Sequence, residues 1–164
     1  MNDWRWWILA AAVLIWGVVV AVIWRPLRAA RREKLLIRAR REFRRQREQL
    51  EARFVQRAEA RGKPRGLRWS DCDFENDVTY ARDRHNGQIS ALVGVTISFE
   101  AIAGGGMEEN ENVGNLRAAT AVFYFDRHRW TTEGRAIFNL NPTEAVRFYQ
   151  ANLELVAQEA AASR

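Results

Sequence analysis

The chain has 164 residues and a formal net charge of +6, from 26 Lys and Arg against 20 Asp and Glu. This length suffices for one domain with accessory segments and excludes a protein with several large cores. The single cysteine, Cys72, excludes an internal disulfide framework and fits a reducing compartment.

The positive charge is concentrated in one stretch of the chain. Residues 1–24 are neutral, residues 25–68 hold 17 Lys and Arg with 5 Glu, and residues 69–164 hold 8 Arg with 14 Asp and Glu. The chain therefore divides into a neutral apolar block, a basic stalk and an acidic domain. Because the stalk contains few aromatic side chains, we do not expect nucleic acid to be a partner.

The apolar block contains 19 consecutive uncharged residues, 6–24. A helix of this length spans roughly 28 Å, close to the thickness of a bilayer core. The sequence predicts a transmembrane helix over residues 6–24, preceded by a short non-cytoplasmic N-terminus, residues 1–5. A buried core helix and a cleaved signal peptide are the alternatives, and the length and flanks of the run disfavour both.

Arginines follow the apolar block directly and predict its orientation. Short Lys- and Arg-rich flanks stay in the cytoplasm, so we expect a single-pass protein of the cell (inner) membrane, with its C-terminal domain in the cytoplasm. The basic stalk adds attraction to anionic lipid, which makes membrane lipid a predicted partner. The predicted membrane-interface residues are Trp6, Trp7, Trp24, Arg25, Arg28, Arg31 and Arg32.

The basic stalk, residues 25–61, lacks Gly and has its only Pro at the second position, which predicts a long helix. Leu36, Phe43 and Leu50 recur every seven residues, as in a coiled coil that would make the chain a homo-oligomer. Arg40 and Arg47 occupy the second heptad position, however, so a solvated helix is an equal alternative. Gly and Pro in residues 62–66 predict a linker.

The acidic domain, residues 67–164, begins with a predicted β-hairpin. Asn86-Gly87 is typical of a two-residue type I′ turn, which would pair Tyr80 with Val93. One face of the hairpin then carries the apolar side chains. These are Cys72, Phe74, Val78, Tyr80, Val93, Val95, Ile97 and Phe99.

Alternating carboxylates on the first strand resemble the start of a calcium loop. An EF-hand needs Gly at its sixth position and Glu at its twelfth, where this chain has Asn76 and Arg82. We therefore expect a solvated strand face and no metal site. The carboxylates are those of Asp71, Asp73, Glu75 and Asp77.

A second hairpin with its turn at Arg127-His128 and a C-terminal helix complete the domain. Asn141 and Glu144 have the spacing of a capping box, and apolar residues up to Val156 recur near helical spacing. The predicted fold is α+β: a transmembrane helix, a long basic helical stalk, and an antiparallel four- to five-stranded sheet packed by the C-terminal helix.

The sequence Asp-Arg-His occurs at both predicted hairpin tips. If the two tips lie at the same end of the sheet, they form a basic patch on an acidic domain that would attract an anionic partner. Ordinary polar turn chemistry is the alternative. The predicted binding residues are Arg84, His85, Arg127, His128 and Arg129.

No motif of an enzyme or cofactor site is present, and Cys72 is predicted to be far from His85 on one strand. We therefore expect no cofactor and disfavour an enzyme. The first functional hypothesis is a membrane-anchored adaptor or scaffold whose cytoplasmic domain binds a protein partner. The alternative is a small-molecule or lipid-binding domain with a pocket between the sheet and the C-terminal helix.

Overall fold

The computed structural model describes residues 4–61, 67–106, 115–126 and 128–160. The chain forms two compact units: an N-terminal unit, Met1–Arg40, and a sheet unit, Arg41–Arg164. The predicted linker at residues 62–66 lies outside the described residues. The elements in chain order are α1 (Trp4–Arg61), β1 (Leu67–Asp83), β2 (Ile89–Ala101), β3 (Arg117–Asp126), β4 (Arg129–Phe138), α2 (Pro142–Phe148) and β5 (Leu153–Glu159).

The predicted transmembrane helix is not found. Among the described residues, no helix combines the length and the apolar character needed to cross a membrane. The predictions of a span over residues 6–24 and of a single-pass inner-membrane location are therefore wrong. The uncharged run alone suggests a separate element, but it belongs to the 58-residue helix α1, which also contains the arginine-rich segment.

The sheet unit contains one five-stranded antiparallel sheet with the order β4-β3-β2-β1-β5. The first four strands form a meander, in which each strand pairs with its neighbour in sequence. The last strand, β5, instead returns to pair with β1. The predicted α+β architecture with an antiparallel sheet is confirmed.

The helix that covers the larger apolar face of the sheet is the end of α1. The side chains of Phe43, Leu50 and Phe54 are fully buried, and Ala58 is 3 % exposed. Their spacing of seven, four and four residues places them on one side of a helix. The apolar stripe of the predicted stalk therefore packs against the sheet of the same chain. The prediction that the C-terminal helix packs the sheet is wrong for this face.

Aromatic rings form the contact between α1 and the sheet. The Phe43 ring lies 4.9 Å from Trp130 and 5.4 Å from Phe123, centroid to centroid, in edge-to-face arrangements. Phe54 contacts Phe74 at 5.8 Å in the same manner. Such pairs add to the stabilisation from burial, so this cluster is the main core of the sheet unit.

Bulges shape the sheet where α1 crosses it, and two of them are in direct contact with this helix. The register of β1 against β2 shifts between Phe74 and Val78, and that of β4 against β3 shifts opposite Ala121 and Phe123. The β4 bulge contains Gly134, whose φ is +71°. A Cβ atom at Gly134 would overlap the backbone nitrogen of Ala58. Only glycine therefore permits both this backbone angle and this close approach of α1.

The β1–β2 hairpin keeps the predicted face but not the predicted register. Tyr80 pairs with Ala91 instead of Val93. The Asp83 side chain accepts hydrogen bonds from the backbone N–H groups of His85 and Asn86, at 2.8 and 3.1 Å, and this builds a longer loop over residues 84–88. Because the shift at Tyr80 is two residues, an even number, Tyr80 and Val93 stay on the predicted face.

The opposite face of the sheet packs against α2 and the start of β5. Ala145 and Val146 of α2 form a buried cluster with Ala81 and Leu92 of the sheet. The predicted capping box is present: Asn141 Oδ1 accepts from the Glu144 amide, and the Glu144 carboxylate accepts from the Asn141 amide. The helix ends at Phe148, and the residues predicted to continue it form β5 instead.

Candidate functional site

The two Asp-Arg-His tips lie at the same end of the sheet. Ile89, which follows the first tip, pairs with Phe125, which precedes the second. Asp126 pairs with Arg129, and His128 lies in the turn between them. At about 4.8 Å per strand, the two turns are roughly 10 Å apart, because each is centred between two strands.

The side chains at the first tip form hydrogen bonds with the turn that precedes β5. Arg84 donates from Nε to the carbonyl oxygen of Gln150 at 3.1 Å, and the His85 ring lies 3.2 Å from Asn152 Oδ1. At the second tip, His128 and Arg129 are exposed. The basic patch therefore remains a prediction for these residues. Arg127, the fifth member, lies outside the described residues.

The predicted membrane-interface residues are all positions of α1 in the N-terminal unit. Trp6, Trp7 and Trp24 are exposed, and so are three of the four arginines of that prediction: Arg28, Arg31 and Arg32. The fourth, Arg25, is also a position of this helix. The Arg28 guanidinium lies 4.9 Å from a Trp24 ring centroid, a cation–π contact along one helix turn. Their predicted interface role rested on the span and has lost that support.

Cys72 and the β1 carboxylates do not form a reactive or metal-binding group. Burial, with Asp71 and Glu59 nearby, raises the pKa of the Cys72 thiol from 9.0 to about 11, so the thiol stays protonated. Cys72 lies near the start of β1, while His85 lies in the turn beyond its end. Within the described part of the chain, no group of His, Cys, Asp and Glu side chains is arranged to hold a metal ion.

A cleft of about 250 Å³ lies on the α2 side of the sheet, where the sheet meets the segment that joins α2 to β5. One part of its wall is apolar and is formed by Leu92, Val122, Ile137 and Leu153. The other part is polar and includes Ser90, Asp83, Tyr124, Arg135 and Tyr149. The strands and the segment before β5 therefore bring together groups that are far apart in sequence.

Arg135 is the cation of this cleft, and two phenols surround it. Its Nη2 lies 3.5 Å from Tyr149 Oη, and its Cζ lies 5.5 Å from the centroid of the same ring. Partial burial lowers the pKa of Arg135, but hydrogen bonding to Tyr124 and Tyr149 raises it by more, so the pKa lies above its usual value. The guanidinium is therefore a permanent positive charge at the cleft.

The sequence suggested a pocket between the sheet and the C-terminal helix as an alternative, but it did not identify the residues that line this cleft. Side chains alternate along β3, so Val122 and Tyr124 lie on the sheet face opposite to that of Phe123. This alternation indicates that the second face of the sheet also carries apolar and polar side chains. Arg135 and Ile137 lie two residues apart on β4 and both line the cleft, but one charged side chain near an apolar one is not a specific signal for a ligand site. Tyr149 falls within the longer helix that the sequence predicted up to Val156, whereas it caps α2 in the structure.

Comparison with known proteins adds no relative to this description. No protein-family model, no curated protein and no solved structure matches the chain.

Proposed function

We propose that this chain is a binding protein whose sheet unit takes a small molecule into the cleft between the sheet and the α2–β5 segment. The supporting observation is the composition of that cleft. An apolar wall beside a few convergent polar groups, here Arg135, Tyr124 and Tyr149, is typical of ligand sites. Its volume of about 250 Å³ favours a ligand smaller than a drug molecule, because sites for those begin near roughly 300 Å³.

An adaptor that binds a protein partner is the second candidate. Phe148 on α2 is 70 % exposed and Leu155 on β5 is 45 % exposed, and exposed apolar side chains favour protein contacts. These are two separate positions, whereas the cleft combines shape with charge. We therefore place small-molecule binding first. Catalysis is less favoured, because the protonated Cys72 thiol lies on the opposite face of the sheet.

The test is a screen of small fragments against the full-length chain by ligand-observed NMR. Val122→Phe narrows the cleft from its apolar wall, and Leu155→Phe adds the same ring at an exposed position as the matched control. We expect fragments that bind the wild type to lose binding to Val122→Phe and to keep it with Leu155→Phe.

A second readout protects this test against misfolding of the cleft variant. In the wild-type protein, bound fragments should shift the backbone amide signals of Val122, Tyr124 and Tyr149. Fragments that shift other regions only, or that bind both variants equally, would contradict the proposal.

A further inference from the structure

Arg135 is an exposed residue of β4, and the groups that it contacts differ from those of Arg47 and Arg68. Arg47 forms a salt bridge with Glu51 at 2.7 Å, and Arg68 forms one with Glu100 at 2.8 Å. Among the described residues, Arg135 has no carboxylate at ion-pair distance and contacts phenol oxygens instead. A guanidinium has five N–H donors, and two phenols accept only part of them. The remaining donors have the fork geometry that matches a carboxylate.

The local fold holds this guanidinium ready for a ligand. Arg135 follows the Gly134 bulge, which is fixed by its packing against α1. The Tyr149 ring centroid lies 5.5 Å from Cζ, and this contact restricts the otherwise exposed side chain of Arg135. A cation whose position is set before binding loses less conformational entropy when the ligand arrives.

The charges around the cleft favour a single negative charge on the ligand. Asp83 also lines the cleft, and its Oδ1 is occupied by the amides of His85 and Asn86. These hydrogen bonds lower the pKa of Asp83, so it stays ionised near neutral pH. Its charge would repel a dianion such as a phosphate monoester more than a monoanion.

From this arrangement we infer that the ligand is a small monocarboxylate, whose carboxylate pairs with Arg135 while its apolar part lies against Leu92, Val122 and Ile137. This inference rests on the proposed function, since it names the chemical class that the same cleft accepts. The carboxylate supplies the partner that Arg135 lacks within the described residues. The apolar wall supplies the area that a short hydrocarbon chain can bury.

The test compares three probes of equal chain length, hexanoate, hexanol and hexyl phosphate, by NMR titration of the full-length chain. We expect hexanoate to bind more tightly than the other two. Arg135→Met should weaken hexanoate binding at least about tenfold and make it equal to hexanol binding. Arg135→Lys keeps the charge without the fork and should fall between the two. Arg147→Met, at an exposed arginine of α2, is the control and should bind hexanoate as the wild type does.

The outcomes separate this inference from the proposed function. Hexanoate binding that is unchanged in Arg135→Met, or tighter binding of hexyl phosphate, overturns the monocarboxylate assignment and leaves a ligand cleft. If none of the probes and no fragment shifts the cleft amides, both the inference and the proposed function are wrong. The Arg135→Lys variant keeps the comparison valid if Arg135→Met lowers the melting temperature.

Discussion

The guanidinium of Arg47 donates from Nη1 to the carbonyl oxygen of Asn76 at 2.9 Å, which links α1 to the β1 bulge. Nη2 of the same side chain donates to the Glu75 carbonyl, and Glu51 holds Nε at 2.7 Å. Carbonyl oxygens released by a bulge need new donors, and Arg47 supplies them from the covering helix. The arginine that weakened the coiled-coil interpretation is therefore a structural residue of the sheet unit.

Arg47→Met should destabilise the sheet unit by about 1–3 kcal/mol, because two bulge carbonyls lose charged donors. Arg53→Met, at an exposed position of the same helix, is the control and should change stability by less than about 0.5 kcal/mol. Urea unfolding followed by circular dichroism measures both. Equal stability of the two variants would mean that water replaces Arg47 at no cost.

Gly134→Ala should be far more destabilising than the same change at Gly87. Both glycines have positive φ, +71° and +74°, so alanine is strained at either position by about 1 kcal/mol or more. At Gly87 the new methyl group meets nothing within 4 Å, whereas at Gly134 it meets the backbone of Ala58. We expect Gly134→Ala to cost at least about 2 kcal/mol more in thermal unfolding. Similar losses at both sites would show that α1 moves away easily.

Residues 41–164 should fold as an isolated fragment, and residues 66–164 should not. The acidic domain considered from the sequence alone looks self-sufficient, but Phe43, Leu50 and Phe54 fill its largest apolar face. Removing these side chains exposes Trp130 and Phe123 to water, at a cost of several kcal/mol. Dispersion of the amide signals in a two-dimensional NMR spectrum distinguishes the fragments. A well-dispersed spectrum of the shorter one would contradict the role given to α1.

Cys72 should react slowly with iodoacetamide in the folded protein and much faster in urea. Its folded pKa of about 11, against an ordinary 9.0, leaves little thiolate at pH 8. Because the folded pKa is raised, the folded state favours the neutral thiol. This contribution to stability is complete below pH 9 and is lost as the pH rises toward 11. The alkylation rate against pH should therefore have its midpoint near 11 in the native protein. A native midpoint near 9 would show that Cys72 is solvated.

The sequence predicted the local features of the sheet unit better than its packing. The Asn141 capping box and the pairing of Asp126 with Arg129 join residues that are close in sequence, so neighbouring residues determine them. The β1–β2 register was off by two, because Asp83 captures the His85 and Asn86 amides and lengthens the loop. A turn closed by the Asp83 side chain competes here with a two-residue type I′ turn. The Asn86-Gly87 pair alone does not determine which of the two forms.

Long-range relationships were the part that the sequence did not determine. An apolar stripe such as Phe43 and Leu50 has the same appearance whether it packs on its own sheet or on another helix. The same limit applies to the cleft, where Arg135 meets Tyr149 only because the segment after α2 returns to the sheet. The transmembrane interpretation relied on an uncharged run, but no helix of the described residues combines the length and the apolar character needed to cross a membrane.

The pairing of β5 with β1 gives the chain a particular folding order. Val78 pairs with Glu159, whereas the hairpins join strands that are close in sequence. Closing the larger loop costs more chain entropy, so we expect the meander to form first and β5 to dock last. Until residues 153–159 have been synthesised, the outer edge of β1 presents unpaired N–H and C=O groups. The nascent chain is therefore most open to wrong strand pairing just before its last strand is made.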